Sequence, residues 1–156
     1  MADIQVVIFN LKNELCSVDT SIVYKIEKYS DVSLVPEMPD YIRGIYNLRG
    51  RVVPIVDLNK RFNMGDSEIT GKTKIIITEK DNQLFGFIVD NVLEIITLNE
   101  NSIDKSEAVL KINNNKYIKG IGKKDEKLFS IIDLNEILNM NEVNEVLSND
   151  AFSDNK

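Results

Sequence analysis

The chain alternates short apolar runs with polar turns, a pattern that indicates β-strands joined into hairpins. Ile4–Leu11 is rich in β-branched residues, and the polar turn Lys12–Glu14 separates it from the run Leu15–Val18. Lys74–Thr78 and Leu84–Val89 repeat this arrangement further along the sequence. We therefore predict one such hairpin in each half of the chain.

A later segment occurs twice. Tyr41–Met64 aligns without gaps on Tyr117–Met140, and ten of the 24 paired positions are identical. Unrelated segments would share roughly one or two identities in a window of that size. Two unrelated hairpins with similar turns would not explain the Asp-Leu-Asn ending that both copies carry. A weaker match precedes each copy, pairing Leu15, Val23 and Ile26 with Leu84, Val92 and Ile95.

Each copy of the repeated segment predicts a hairpin followed by a short helix. The hairpins end at Asp57 and Asp133, and an aspartate at this place accepts hydrogen bonds from the first free amides of a helix. The helices are expected to end near Met64 and Met140. The predicted strands are Ile42–Leu48 and Val52–Val56 in the first copy, and Ile118–Gly122 and Leu128–Ile132 in the second.

Two further segments, Asp19–Ile26 and Asp90–Ile95, allow either a short helix or a strand, because their apolar residues fit both spacings. Four or five short strands per unit are too few for a sandwich and suit a small curled barrel. The predicted fold is mainly β, with two pseudo-symmetric small barrels that share an apolar seam and carry short helices.

Composition narrows the classes of function. The chain has 156 residues, a net charge of −6 and scattered basic residues, which argues against nucleic-acid binding. It has no histidine, and therefore lacks the commonest metal ligand and the commonest acid–base group. We predict no metal, no cofactor and no catalytic residues. Without a secretory signal, or an apolar run near the roughly 20 residues of a membrane span, the protein is expected in the cytoplasm.

One loop and one cysteine are candidate chemical sites. Gly65–Thr73 ends like a phosphate-binding loop, but it has one residue too many between its glycines and leads from a predicted helix into a strand. A flexible connector is the simpler interpretation, and a nucleotide-binding enzyme using Gly71-Lys72-Thr73 is the alternative function. Cys16 is predicted to pack as a small buried apolar residue.

The two copies differ most at the tips of their hairpins. Asn47–Gly50 in the first copy stands where the second has Lys123–Glu126, so Arg49 corresponds to Asp125. An arginine in a tight turn can present its planar, always charged group to a carboxylate of a partner. An ordinary solvated turn explains the same residues.

The run Tyr41–Leu58 closely resembles the signature of the CheW family of bacterial chemotaxis coupling proteins. Gln5–Phe9, Val35–Pro39 and Gly86–Val92 also match in order, so the resemblance spans about Ile4 to Met140. It implies one CheW-like domain at 1–147, followed by a flexible tail at 148–156. The domain would hold two five-stranded SH3-like barrels at about 14–70 and 71–140, and the two barrels could share the N-terminal strand.

The resemblance also implies a function and a site. The protein would be a non-enzymatic adaptor that couples transmembrane chemoreceptors to the histidine kinase CheA in signalling arrays, without entering the membrane itself. Its partners would be the receptor's cytoplasmic hairpin tip and the regulatory domain of CheA, whose contact residues stay unknown. The family usually has an acidic residue at Lys25, so either the receptor compensates here or this position matters little. The implied receptor-binding residues are Val23, Lys25, Gly44, Arg49 and Ile75.

Overall fold

The structure is a computed structural model, and it describes residues 3–106, 108 and 117–137. Their elements include ten strands, a short α-helix and several single 3₁₀ turns. The elements are β1 (Asp3–Leu11), β2 (Glu14–Asp19), β3 (Val23–Lys28), β4 (Ile42–Leu48), β5 (Arg51–Asp57), α1 (Leu58–Arg61), β6 (Lys74–Lys80), β7 (Gln83–Val89), β8 (Asn91–Asn99), β9 (Ile118–Lys124) and β10 (Lys127–Ile132).

The strands form two five-stranded sheets of matching order. The first sheet runs β8-β1-β2-β10-β9, and the second runs β3-β6-β7-β5-β4. Replacing β1–β5 by β6–β10, and the reverse, converts one order into the other. Each sheet has one parallel pair, β2 with β10 and β5 with β7, at equivalent places. The mainly β fold and its internal pseudo-symmetry are confirmed.

The sheets divide the chain differently from the predicted barrels at about 14–70 and 71–140. The second sheet is built from strands between residues 23 and 89, whereas the first combines residues 3–19 with strands between 91 and 132. Each repeated unit places its opening hairpin in one sheet and its next three strands in the other. The parallel pairs require such crossing connections, because a tight hairpin can join only antiparallel strands.

Alternating side chains give each sheet its own core and a share of a common one. On β1, Val6 and Ile8 face the core of the first sheet, whereas Val7 and Phe9 face the opposite way. The common core joins residues of both sheets and confirms the predicted apolar seam. Its members include Val7, Phe9, Leu11, Cys16, Val18, Val56, Leu58, Ile76, Phe85, Phe87, Val89, Ile132 and Leu134.

Aspartates cap the short helical turns, as predicted. Asp57 accepts a hydrogen bond from Lys60 N at 3.2 Å at the start of α1, and Asp133 accepts one from Asn135 N at 3.0 Å. The helix α1 ends at Arg61, earlier than predicted, while the expected helix end at Met140 and tail at 148–156 lie outside the described residues.

The structure also assigns the two segments whose sequences allow either a short helix or a strand. Asp19 caps a single 3₁₀ turn at Thr20–Ile22, and β3 begins directly after it. The segment Asp90–Ile95 is strand from Asn91 onwards. Among the residues described, no helix combines the length and apolar character needed to cross a membrane.

Candidate protein-binding surface at the β4–β5 hairpin

The turn between β4 and β5 holds Arg49 out into solvent. Arg49 and Gly50 have φ angles of +50° and +89°, the positive pair that a two-residue type I′ turn requires. Asn47 Oδ1 accepts a hydrogen bond from Gly50 N at 2.8 Å, which fixes the turn from inside. Arg49 is exposed, and it makes no side-chain hydrogen bond or ion pair with any residue in the described part of the chain.

Contacts of Arg51 bring this hairpin tip beside the start of β3. The Arg51 guanidinium lies 5.8 Å from the centroid of the Tyr24 ring, close enough for a cation–π interaction. The same group is 3.6 Å from Glu79 Oε2 and donates a hydrogen bond to Asn82 O at 3.1 Å. The tip of β4–β5, the β6–β7 turn and the start of β3 therefore meet at one end of the second sheet.

Val23 and Lys25 flank Tyr24 at this end of the sheet. Val23 is half-buried and packs against the common core. Lys25 Nζ lies 3.2 Å from Glu27 Oε1, two residues along the same strand and therefore on the same face. Val23, Tyr24 and Lys25 are consecutive residues of β3 and lie beside the hairpin tip that carries Arg49; we call these four residues the Arg49 surface.

The other two predicted residues are buried. Ile75 is 0% exposed and lies in the core of the second sheet. Gly44 is packed so tightly that a Cβ atom there would lie 2.1 Å from the backbone oxygen of Ser33. That oxygen accepts a hydrogen bond from Ile45 N at 2.8 Å, which ties the segment after β3 to β4. Gly44 and Ile75 can affect binding only through the packing beneath the surface.

The five predicted receptor-binding residues do not include Tyr24 or Arg51, although the sequence offers Tyr24 as one of several tyrosines that could anchor a partner. Tyr24 is 51% exposed because the pairing of β3 with β6 shifts register between Val23 and Lys25. Such a bulge depends on how two strands distant in sequence align. The sequence Val23-Tyr24-Lys25 gives no local signal for this bulge.

A groove elsewhere on the molecule contains none of the predicted residues. It has a volume of about 650 Å³ and lies between the first sheet and the residues that follow α1. The Arg49 surface is separate from it. The residues that line the groove include Leu11, Leu15, Phe62, Met64, Tyr117 and Leu128.

Comparisons with known proteins agree with this architecture. The family model described as a CheW-like domain matches residues 5–142. The chain belongs to the CheW family. The match includes both sheets, the Arg49 surface and all five predicted receptor-binding residues, and it confirms the resemblance seen in the run Tyr41–Leu58.

Named relatives support the assignment to CheW. The chemotaxis protein CheW of Bacillus subtilis (strain 168) is 34% identical over 134 residues, which cover 86% of each chain. The chemotaxis protein CheW of Helicobacter pylori is 33% identical over 116 residues, covering 74% of this chain and 70% of that one. The crystal structure of the scaffolding protein TtCheW from Thermoanaerobacter tengcongensis superposes with a TM-score of 0.80 at 37% identity, covering 91% and 92% of the two chains.

In this member of the CheW family, the second hairpin tip repeats the geometry of the first with different chemistry. Asp125 and Glu126 have φ angles of +50° and +68°, so β9 and β10 are joined by the same kind of turn. Asp125 occupies the place of Arg49. Next to it, Lys124 Nζ pairs with Glu94 Oε1 at 2.8 Å.

The connector between α1 and β6 is anchored, contrary to the flexible connector that was expected. Ser67 is buried, and both its N–H and its hydroxyl donate hydrogen bonds to the Asp57 carboxylate. Asn59 Nδ2 donates to Ser67 Oγ at 2.9 Å and to Asp90 Oδ1 at 2.9 Å. Asp90 in turn accepts from Lys12 N, so this buried polar network links the connector to both sheets.

The end of the same connector does not form a phosphate-binding loop. The Thr73 hydroxyl accepts a hydrogen bond from Thr70 N at 2.8 Å and donates to Glu68 O at 3.4 Å. Thr73 is 1% exposed, whereas a phosphate loop needs this hydroxyl free for a metal ion. The chain order is helix, loop, strand, as its sequence indicated. The geometry gives the nucleotide-binding alternative no support.

Cys16 is buried in the common core, as predicted, and is 6% exposed. Burial raises the pKa of its thiol to about 11, because the thiolate would lose its hydration there. The pKa is shifted in the opposite direction from that of a reactive cysteine, whose pKa is lowered so that the thiolate is populated near neutral pH.

Proposed function

We propose that this chain is a non-enzymatic adaptor that couples transmembrane chemoreceptors to the histidine kinase CheA in signalling arrays. Membership of the CheW family supports this role, and the solved relative from T. tengcongensis is a scaffolding protein by name. The observation that carries the proposal is Arg49, which a hydrogen-bonded turn holds in solvent and which has no side-chain partner among the residues that the structure describes.

The Arg49 surface is proposed to receive the cytoplasmic hairpin tip of a receptor. Tyr24 offers apolar area and Arg49 offers a planar cation, and tyrosine and arginine are among the residues that most often dominate protein interfaces. Val23 adds a half-buried apolar edge, and Lys25 a second cation. Gly44 and Ile75 would keep β4 and β6 in the positions that shape this surface.

The regulatory domain of CheA is proposed as a second partner on another face, so that one chain can hold receptor and kinase together. In this role the adaptor stays in the cytoplasm and reaches the membrane-associated array through the receptor. Its contribution is positional, since no bond is made or broken on it.

The two hairpin tips provide a matched test of the surface. Arg49→Ala and Asp125→Ala both place alanine at a φ angle of +50°, so they carry the same backbone cost. Arg49→Ala should weaken binding to a receptor cytoplasmic fragment by about tenfold or more, because it removes an arginine contact. Asp125→Ala should change it by less than about twofold, as expected outside an interface. Calorimetric titration measures both.

The coupling itself is tested by reconstitution. CheA activity is measured in receptor-containing membranes with and without this protein, and then with each variant. Wild type and Asp125→Ala should place the kinase under receptor control, whereas Arg49→Ala should not. If Arg49→Ala binds and couples as well as wild type, the surface assignment is wrong. If wild type itself has no effect on the kinase, the adaptor role fails.

A further inference from the structure

Charged side chains join the two edge strands of the first sheet. The edge strands are β8 and β9, and Glu94 on β8 pairs with Lys124 Nζ on β9 at 2.8 Å. The side chains are 51% and 38% exposed, so the pair lies at the surface. Where these two edges of the first sheet meet, their charged side chains therefore pair with each other.

The second sheet has the opposite charge at the equivalent place. The sequence offset that pairs Val23 with Val92 places Lys25 on β3 where the first sheet has Glu94. The offset that pairs the two hairpins places Leu48 where the first sheet has Lys124, and Arg49 at the place of Asp125. Consequently the ion pair that joins β8 to β9 has no counterpart between β3 and β4.

The positively charged side chains at this end of the second sheet differ in how they are paired. Arg51 contacts Glu79 and the Tyr24 ring, and Lys25 pairs with Glu27 of its own strand and with no other carboxylate in the described part of the chain. The Lys25 and Glu27 side chains are 39% and 22% exposed, and pairs of this kind contribute little net stability. Lys25 can therefore pair with another carboxylate at small cost, and so can Arg49, which pairs with none of the carboxylates that the structure describes.

We propose that Lys25, acting with Arg49, makes the Arg49 surface selective for a partner segment that carries a carboxylate facing Lys25. This inference rests on the proposed receptor-binding function and adds the chemistry of the partner. A segment with a basic residue at that position would meet two like charges and be rejected. Specificity of this kind arises from repulsion of wrong partners as much as from attraction of the right one.

The test reverses charges on both sides of the contact. Lys25→Glu gives β3 the charge that β8 carries at Glu94, and Lys28→Glu is the matched control, being an exposed lysine on the same strand. Binding to a chemoreceptor hairpin-tip fragment is measured by calorimetry at low and high salt. The fragment is also prepared as a series in which each acidic residue of the tip is changed to lysine, one at a time.

Lys25→Glu should weaken binding by about tenfold at low salt and by less at high salt, because screening reduces the repulsion. One lysine-substituted fragment should restore the affinity of Lys25→Glu to within about threefold of wild type, while binding wild type more weakly. Lys28→Glu should stay within about twofold of wild type with every fragment. Lys25→Gln, which removes the charge without reversing it, should fall between wild type and Lys25→Glu.

Two results would overturn the inference and leave the proposed function standing: wild-type affinity of Lys25→Glu for the unmodified fragment, or a loss that no lysine-substituted fragment restores. If Lys25→Glu proves unfolded by circular dichroism, Lys25→Gln decides alone, and unchanged binding by it also overturns the inference. Failure of the wild-type protein to bind any receptor fragment would instead remove the proposed function, and this inference with it.

Discussion

Asp57 and Asp133 stand at equivalent places in the two copies, yet their surroundings differ. Asp57 is 2% exposed and accepts hydrogen bonds from Lys60 N and from the N–H and hydroxyl of Ser67. The Asp133 side chain is 21% exposed; it caps its turn through Asn135 N and lies 3.5 Å from Lys119 Nζ. Both copies keep the cap, but within residues 3–106, 108 and 117–137 only Asp57 belongs to a buried hydrogen-bond network.

The hairpin tips show the complementary difference. Their backbones match, with positive φ angles at both central residues, while their side chains carry opposite charge at Arg49 and Asp125. Where the two copies agree, the residue serves folding; where they differ in an exposed turn, it is free to serve a partner. This contrast gives each residue of one half a natural control in the other.

The largest expected effect breaks the comparison between the two caps. Asp57→Ala should lower the free energy of unfolding by about 3 kcal/mol, since it removes a cap and leaves the buried amide and hydroxyl of Ser67 without an acceptor. Asp133→Ala should cost about 1 kcal/mol, the usual value for a partly exposed cap. Urea unfolding followed by circular dichroism measures both.

Ser67→Ala separates the two parts of the Asp57 effect, because it removes the hydroxyl contact and keeps the cap. Its cost should be intermediate, about 1 to 2 kcal/mol. Equal losses for Asp57→Ala and Asp133→Ala would mean that the buried network adds nothing beyond capping, and the contrast between the two copies would then be one of geometry only.

The caps could be predicted from sequence, and the network could not. An Asp-Leu-Asn ending after an apolar strand is a local signal, because a cap involves residues three positions apart. Ser67, Asn59 and Asp90 look like ordinary polar loop residues, and only the tertiary fold brings their side chains together. The same limit applies to Ile75, since Ile75, Ile76 and Ile77 are all 0% exposed and no alternation shows which face each occupies.

The way in which the two sheets exchange strands also could not be predicted from the sequence. The hairpins were predicted correctly because their strands are close neighbours along the chain, and the repeat indicated two similar units. Which unit pairs with which depends on contacts such as β2 with β10, whose strands lie more than a hundred residues apart. In the site, the turn motif indicated Arg49, whereas the placement of Tyr24 beside Arg51 required the curl of the second sheet.

A smaller effect is expected from the tightly packed glycines of β4 and β9. Gly44→Ala should cost about 2 kcal/mol, because its Cβ would meet the backbone oxygen of Ser33, which cannot move without breaking its bridge to β4. Gly120→Ala should cost less, about 1 kcal/mol, since its nearest neighbour is the Ile103 Cγ2 methyl at 2.7 Å and the backbone oxygen of Asp104 is further away, at 3.0 Å. Thermal unfolding compares the two variants.

The same pair tests whether Gly44 acts through packing. Folded Gly44→Ala protein should bind a receptor fragment more weakly than Gly120→Ala protein, because the Ser33 segment and β4 shift beneath the Arg49 surface. If Gly44→Ala leaves both stability and receptor affinity unchanged, the close approach to Ser33 is not what the position requires.

The smallest expected effect concerns Cys16, which faces the common core where the other copy has Phe85. Burial raises the pKa of the folded thiol from 9.0 to about 11, so the neutral thiol stabilises the folded state fully below pH 9. That contribution is lost as pH rises from 9 towards 11, because the Cys16 thiol of the unfolded chain ionises first.

The advantage of wild type over Cys16→Ala in free energy of unfolding should therefore shrink by about 1 kcal/mol between pH 8 and pH 10. Urea unfolding of both proteins at the two pH values isolates this thiol, since the two proteins differ at no other residue. An unchanged difference would show that the Cys16 thiolate is accommodated in the seam.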